Sequence, residues 1–199
     1  MNILAHIHLS QEIDELMLGN FMGDFIKGNK FMNYPKEIKN GILLHRKIDE
    51  FTDKHDMHKL SRDRLRPKYG LYSGIVVDIF YDHFLAKNWL DYHDISLDIF
   101  SKRVYEYLLS NLHIFPSQLQ QIVPVIAQSN WLELYGSIDG IERVLTGMAQ
   151  RTSLPNHVSY AIEILHRYYN EMNKEFNIIF NDLIKLVTYN IILYKFANN

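Results

Sequence analysis

Asp78 and Asp82 stand four residues apart in the stretch GIVVDIFYDHFLAKNW, with His83 next in sequence. On a helix this spacing puts both carboxylates on one face and the imidazole about 100° round. The neighbours Ile75, Val76, Val77, Ile79, Phe80, Phe84 and Leu85 predict a largely buried helix. An unpaired charge in such a place costs on the order of several kcal/mol. A divalent cation would offset that cost. Arginines from other elements would do so equally, with His83 as a hydrogen-bonded core residue, and the segment alone does not choose between them.

GILLHRKIDEFTD holds a second pair, His45 and Asp49, again four apart, with Asp53 one turn further on. Imidazole and carboxylate at this spacing can reach one ion. A solvated helix pair also fits, given Arg46, Lys47 and Glu50 alongside. A third group comes from LAHIHL, with His6 and His8, and from GNFMGDF, where Asn20 and Asp24 are flanked by Gly19 and Gly23. Glycine beside polar groups allows close approach of backbone or ligand, and equally tight helix packing. Taken together, Asp24, His45, Asp49, Asp78, Asp82 and His83 form a mixed nitrogen and oxygen set suited to Mn²⁺, Mg²⁺, Fe or Zn. Such a set could activate water and neutralise charge on a phosphoryl oxygen.

Two other patterns carry less. His93-Asp94 is a literal HD dipeptide but falls in LDYHDIS, a surface turn, and is not assigned to a site. Glu163 and His166 match the Glu-x-x-His element of di-iron bundles, but no second copy exists. The chain has no cysteine, no Gly-x-Ser-x-Gly elbow, no Walker loop and no dinucleotide fingerprint.

These residues need helices to place them, and helical periodicity dominates the chain. Ser10 reads as the N-cap of a helix to about Lys27, ended by Gly28. Pro35 opens a helix through Phe51, and a basic segment follows that breaks at Pro67 and Gly70. Further helices are expected at about 73–89, 96–113, 116–129, 131–135 and 139–150. One long last helix is expected from beyond Asn156 to about Phe196. No β-alternation persists. The reading is an all-α, single-domain bundle over residues 1–199 with a long C-terminal helix.

Hydrophobic residues make up 47% of the 199, enough for a core of that size. A net charge of −2 argues against a nucleic-acid-binding chain. No stretch reads as a signal peptide or a membrane span, so a cytoplasmic setting is expected. Lys59–Lys68 concentrates five basic residues against one acid, including Arg62, Arg64 and Arg66. It could dock an acidic partner, remain a solvated segment, or supply arginines to core carboxylates.

The stretches MNILAHIHLS, LGNFMGDFIKGN, GILLHRKIDEFTD, VVDIFYDHFLAKNW and VLTGMAQR, in that order, resemble the acyl carrier protein phosphodiesterase family over nearly the whole length. The resemblance implies a divergent, HD-like all-helical hydrolase. Its reaction would be hydrolysis of the phosphodiester between 4′-phosphopantetheine and a serine of acyl carrier protein, with Mn²⁺ preferred and Mg²⁺ or Fe²⁺ as substitutes. It implies a metal-site role for Asp24 and for a subset of His6, His45, Asp78, Asp82 and His83. Asp24, His45 and His83 would be catalytic, with His83 or His45 protonating the leaving oxygen. Arg62, Arg64 and Arg66 would face the acidic carrier protein. Some family members carry alanine where this chain has Gly23, which reads as a small change. The competing readings are an HD-like phosphohydrolase acting on a nucleotide or other small phosphoester, and a helical interaction module without a metal.

Overall fold

The computed structural model describes residues 1–196, with side chains through Tyr194. Eleven α-helices and several short 3₁₀ turns make up the described residues, and no strand occurs among them. The expected all-α single domain is what the chain forms, around one continuous hydrophobic cluster that includes Leu18, Phe80, Phe84, Phe176 and Phe180.

The first departure from expectation is near the N-terminus. A short helix α1 (Ile3–Leu9) precedes Ser10, whose hydroxyl donates back to the His6 carbonyl. Ser10 therefore closes one helix instead of opening the next. Gln11, at φ 68°, makes the break. The Asp14 side chain then accepts from the Met17 N–H and caps α2 (Glu15–Phe21). Asp24 lies beyond it, on the 3₁₀ turn Gly23–Phe25.

Helix α3 (Lys36–Lys54) starts where Pro35 predicts. It crosses α2 with the backbones in contact. A Cβ on Gly19 would fall 2.0 Å from the Ile38 carbonyl oxygen, and one on Gly41 would fall 2.0 Å from that of Leu16. The basic segment is itself a helix, α4 (Asp56–Tyr69), which accommodates Pro67 and stops at Gly70 in a positive-φ conformation. Helix α5 (Ser73–Lys87) runs through the core, with Val76, Val77, Ile79, Phe80, Tyr81, Phe84 and Leu85 buried; Ile75 is instead partly exposed.

Helices α6 (Leu97–Ser110), α7 (Ser117–Gln128), α8 (Trp131–Leu134) and α9 (Ile138–Arg151) follow close to their expected bounds. The single expected C-terminal helix is two: α10 (Val158–Arg167) and α11 (Tyr169–Phe196), with Tyr168 out of helical conformation between them. Apolar periodicity runs through the break unchanged, so the pattern could not reveal it. Residues 169–194 of α11 are long and apolar enough to cross a membrane, contrary to the sequence reading. Met172, Phe176, Ile179, Phe180 and Leu183 are nevertheless buried in the protein's own core.

Candidate metal centre

Helices α1 and α3 bring His6 and His45 face to face, with ring centroids 4.1 Å apart and planes 21° from parallel. One residue of α2 orients both rings. The Asn20 side-chain amide donates to the His6 carbonyl (2.7 Å) and to the Ser10 hydroxyl (2.9 Å), which fixes its Oδ1 as an acceptor. That oxygen lies 2.8 Å from His6 Nδ1. The Asn20 backbone carbonyl lies 2.8 Å from His45 Nδ1. Both rings therefore donate from Nδ1, and both present Nε2 to the same place.

Asp49 occupies that place. Its Oδ1 is 3.1 Å from His6 Nε2, and its Oδ2 is 3.1 Å from His45 Nε2. Asp24 Oδ1 lies 3.5 Å from the same His45 nitrogen. Charges attract at these distances, yet His45 Nε2 is buried with no hydrogen-bond partner among the described residues. Ligand atoms of His6, His45 and Asp49 all fall within 4.8 Å of one another, the spacing of groups that can share an ion.

The electrostatics leave this cluster one extra proton for two rings. Burial disfavours a charged His45, but the adjoining Asp24 and Asp49 more than reverse this and raise its pKa to about 9. Burial, then the charge on His45, push the pKa of His6 down. The two stacked rings resist being charged together, so the His6 Nε2 lone pair is left facing a carboxylate oxygen. Burial works against the Asp49 carboxylate, but the neighbouring histidines hold its pKa far below the usual range. A divalent cation in place of the extra His45 proton would accept both nitrogen lone pairs and the carboxylate together. On the donor set and the orphaned nitrogen, these residues fit a metal ion.

The cluster opens into a cleft of about 490 Å³ lined by Asp24, Asp49, Asp53, Asp78 and the amino group of Met1. Asn2, Arg62, Leu71, Gly74, Ile75 and Met148 complete its walls. Asp78 sits at the side of the site, with Oδ1 3.2 Å from the Met1 amino group and 3.1 Å from His58 Nε2. A larger groove of about 750 Å³ lies between α3, α4 and α11, but among its lining residues histidine is represented only by His55. Volume alone therefore does not find the site.

Several expected residues sit elsewhere. Asp82 does not face the cluster: its carboxylate accepts the backbone N–H groups of Leu4 (2.8 Å) and Ala5 (3.1 Å). It anchors the first turn of α1 and so positions His6 from behind. Its expected role as a ligand is corrected accordingly. His83 is also not at the site. Its Nδ1 donates to the Tyr135 carbonyl (2.7 Å) and its Nε2 meets the Tyr169 hydroxyl (3.0 Å). It is the hydrogen-bonded core histidine of the alternative reading, not a catalytic acid. Helical spacing cannot distinguish these fates, because Asp82 points at a neighbouring helix terminus that sequence does not show.

The three arginines separate. Arg64 makes two 2.6 Å hydrogen bonds to Glu175 on α11, which also accepts from Ser61 at 2.6 Å. This is a buried structural pair, so Arg64 is not a docking residue. Arg66 is exposed, 3.8 Å from Asp63. Only Arg62 reaches the cleft. His93 stacks on Trp89 at 5.0 Å and lines a different cavity, while Glu163 is exposed and pairs with Arg167.

Nothing in the sequence marks His58, which stands just before the basic run Lys59–Lys68 yet is fully buried against Asp78. The sequence singles out Asn20 but not its bridging role. Nor is Gly23 a neutral position in this chain: a Cβ there would fall 2.2 Å from His45 Cγ. An alanine would require the ring to move.

A family profile described as acyl carrier protein phosphodiesterase matches residues 1–183. The chain belongs to the acyl carrier protein phosphodiesterase family. Curated relatives of that name include one from Klebsiella pneumoniae (strain 342), 33% identical over 94% of this chain and 97% of the relative. Another, from Yersinia pestis, is 36% identical over 76% of this chain and 79% of its own. A third, from Serratia proteamaculans (strain 568), is 30% identical over 88% and 92% respectively. No solved structure matches the chain. The family match includes every residue of the cleft, Met148 of the VLTGMAQR stretch among them.

Proposed function

We propose that this chain hydrolyses the phosphodiester joining 4′-phosphopantetheine to a serine of acyl carrier protein, using a divalent ion held by His6, His45 and Asp49. Asp24 and Asp78 stand beside these three, and Mn²⁺ is the first candidate. The observation that carries the metal is the pair of Nε2 atoms aimed at Asp49 with their Nδ1 protons already committed to Asn20. The carrier-protein substrate comes from the family.

A bound ion would bring the ionisation of water into the neutral range and offset charge on a phosphoryl oxygen. The chain's own part is positional. Asn20 fixes both tautomers, Asp82 holds α1 in place, and Arg46 pins the segment after Asp24 by donating to the Ile26 (2.9 Å) and Gly28 (2.7 Å) carbonyls. In this reading both nitrogens of His45 are occupied, so His45 holds the ion and does not protonate the leaving serine oxygen. The kinship with HD-type phosphohydrolases and a cytoplasmic setting belong to the same proposal, supported by the mixed histidine–aspartate donor set and the bacterial relatives.

The test is to strip the protein with EDTA, add holo acyl carrier protein with and without Mn²⁺, and weigh the carrier. Loss of the phosphopantetheine mass only when metal is restored is the expected result. Full activity in the stripped protein would remove the metal from the scheme, and an unchanged carrier mass in both arms would remove the substrate.

A further inference from the structure

The cleft poses an electrostatic problem for the function just proposed, and the solution points to one residue. Asp24, Asp49, Asp53 and Asp78 face a substrate that is itself an anion. One divalent ion does not balance four carboxylates and a phosphodiester, even with the Met1 amino group in place. A permanent cation is needed on the open side of the cleft. Arg62 is the arginine that lines it.

Its condition is unusual for an arginine in acidic surroundings. Arg64, two residues on, is committed to Glu175, and Arg66 lies near Asp63. Arg62 makes no hydrogen bond or ion pair with any described residue, although four carboxylates share its cleft. The side chain is half-buried, and its stem lies along α5, with Cδ 3.6 Å from where a Cβ on Gly74 would be. The stem therefore packs at ordinary contact distance against the first turn of that helix. His58, one turn earlier on α4, is anchored to Asp78 and fixes the helix against the cleft. A guanidinium positioned by its stem but unpaired at its head offers its full fork of donors to an incoming oxyanion.

We propose that Arg62 contacts the non-bridging oxygens of the scissile phosphodiester, and is a substrate-binding catalytic residue instead of a docking residue for the carrier's surface. This rests on the proposed hydrolase reading. During hydrolysis water oxygen bonds to phosphorus, the bond from phosphorus to the serine oxygen breaks, and a proton passes to that oxygen. Negative charge on the equatorial oxygens grows as hydroxide adds to the monoanionic diester, so a guanidinium there stabilises the transition state more than the ground state.

Arg62→Gln and Arg62→Lys, assayed in the full chain with Mn²⁺, separate this from docking. Arg62→Gln should lower kcat/KM on holo carrier protein by about 100-fold or more, with Arg62→Lys recovering part of it. Calorimetric Mn²⁺ affinity should not fall in either variant, and the thermal midpoint should stay unchanged in both. Inhibition by 4′-phosphopantetheine, which lacks the carrier, should weaken by about tenfold in Arg62→Gln, while inhibition by apo carrier protein should not. The reverse pattern would make Arg62 a docking residue, and no change in either inhibitor would end the proposal. If the unaltered protein fails to cleave holo carrier, the hydrolase reading falls and Arg62 is read by inorganic phosphate binding to the Mn²⁺-loaded protein. Binding that Arg62→Gln abolishes supports the oxyanion contact; equal binding, or none, overturns it.

Discussion

Asn20 makes four polar contacts that serve two histidines: it receives from His6 and from His45, and its amide holds the His6 carbonyl and Ser10. The His45 contact uses its backbone, so a side-chain change releases His6 first. Asn20→Ala should weaken Mn²⁺ binding by about 10- to 100-fold, the usual cost of removing a residue that orients a metal ligand. It also leaves buried donors and acceptors unpaired, which lowers stability by about 1–3 kcal/mol. Titration of Mn²⁺ into both proteins, with urea unfolding alongside, reads the two effects separately. Unchanged metal affinity would mean that His6 is held by packing alone. His6, Asp24, His45 and Asp78 are visible in the sequence as candidates because their spacing and polar type stand out from apolar neighbours. Asn20's role is not visible, because an asparagine on a helix has the same appearance whether it bridges two rings or faces solvent.

At the scale of elements, α1 hangs from Asp82. Burial raises the Asp82 carboxyl to a pKa of about 7, against the opposing pull of the Leu4 and Ala5 N–H groups. In the unfolded chain a carboxyl of this kind releases its proton near 3.8. Between those values the native state keeps a proton that the unfolded chain has lost, so stability falls as pH rises through this window. A shift of this size corresponds to about 4 kcal/mol. Asp82→Asn cannot ionise and should lack this slope. Urea midpoints for the two proteins from pH 4 to pH 8 should therefore show the native protein losing ground to the variant toward neutral pH. Parallel curves would mean that Asp82 stays charged throughout. The break between α1 and α2 belongs to the same scale. It comes from Gln11 and the Asp14 cap, and Ser10 reads equally well as the end of one helix or the start of another.

Across the whole molecule, Arg64 and Glu175 tie α4 to α11, under the Tyr168 ring 5.1 Å away. Arg64→Ala would leave Glu175 buried beside Ser61 and Tyr81 without its counter-charge. The expected loss is about 3–5 kcal/mol, far more than an exposed pair is worth. Thermal unfolding should register it, with Mn²⁺ affinity of the folded fraction unaltered. A docking residue would behave in the opposite way, changing binding to the carrier and leaving stability intact. The basic run of α4 is thus three different devices side by side: a core clamp at Arg64, a solvated residue at Arg66 and a cleft residue at Arg62.

What the sequence determined alone was the helical class, most helix bounds and the short roll of polar residues that apolar surroundings make expensive. Periodicity and capping are local, so they are written in neighbouring residues. The tertiary structure decided which of those polar residues meet. His6 and Asp49 are 43 positions apart and Asp82 and Leu4 are 78 apart. Whether a buried carboxylate faces a pair of imidazoles or the end of a helix depends on how whole helices cross. That crossing is set here by two glycines whose missing side chains let α2 and α3 touch.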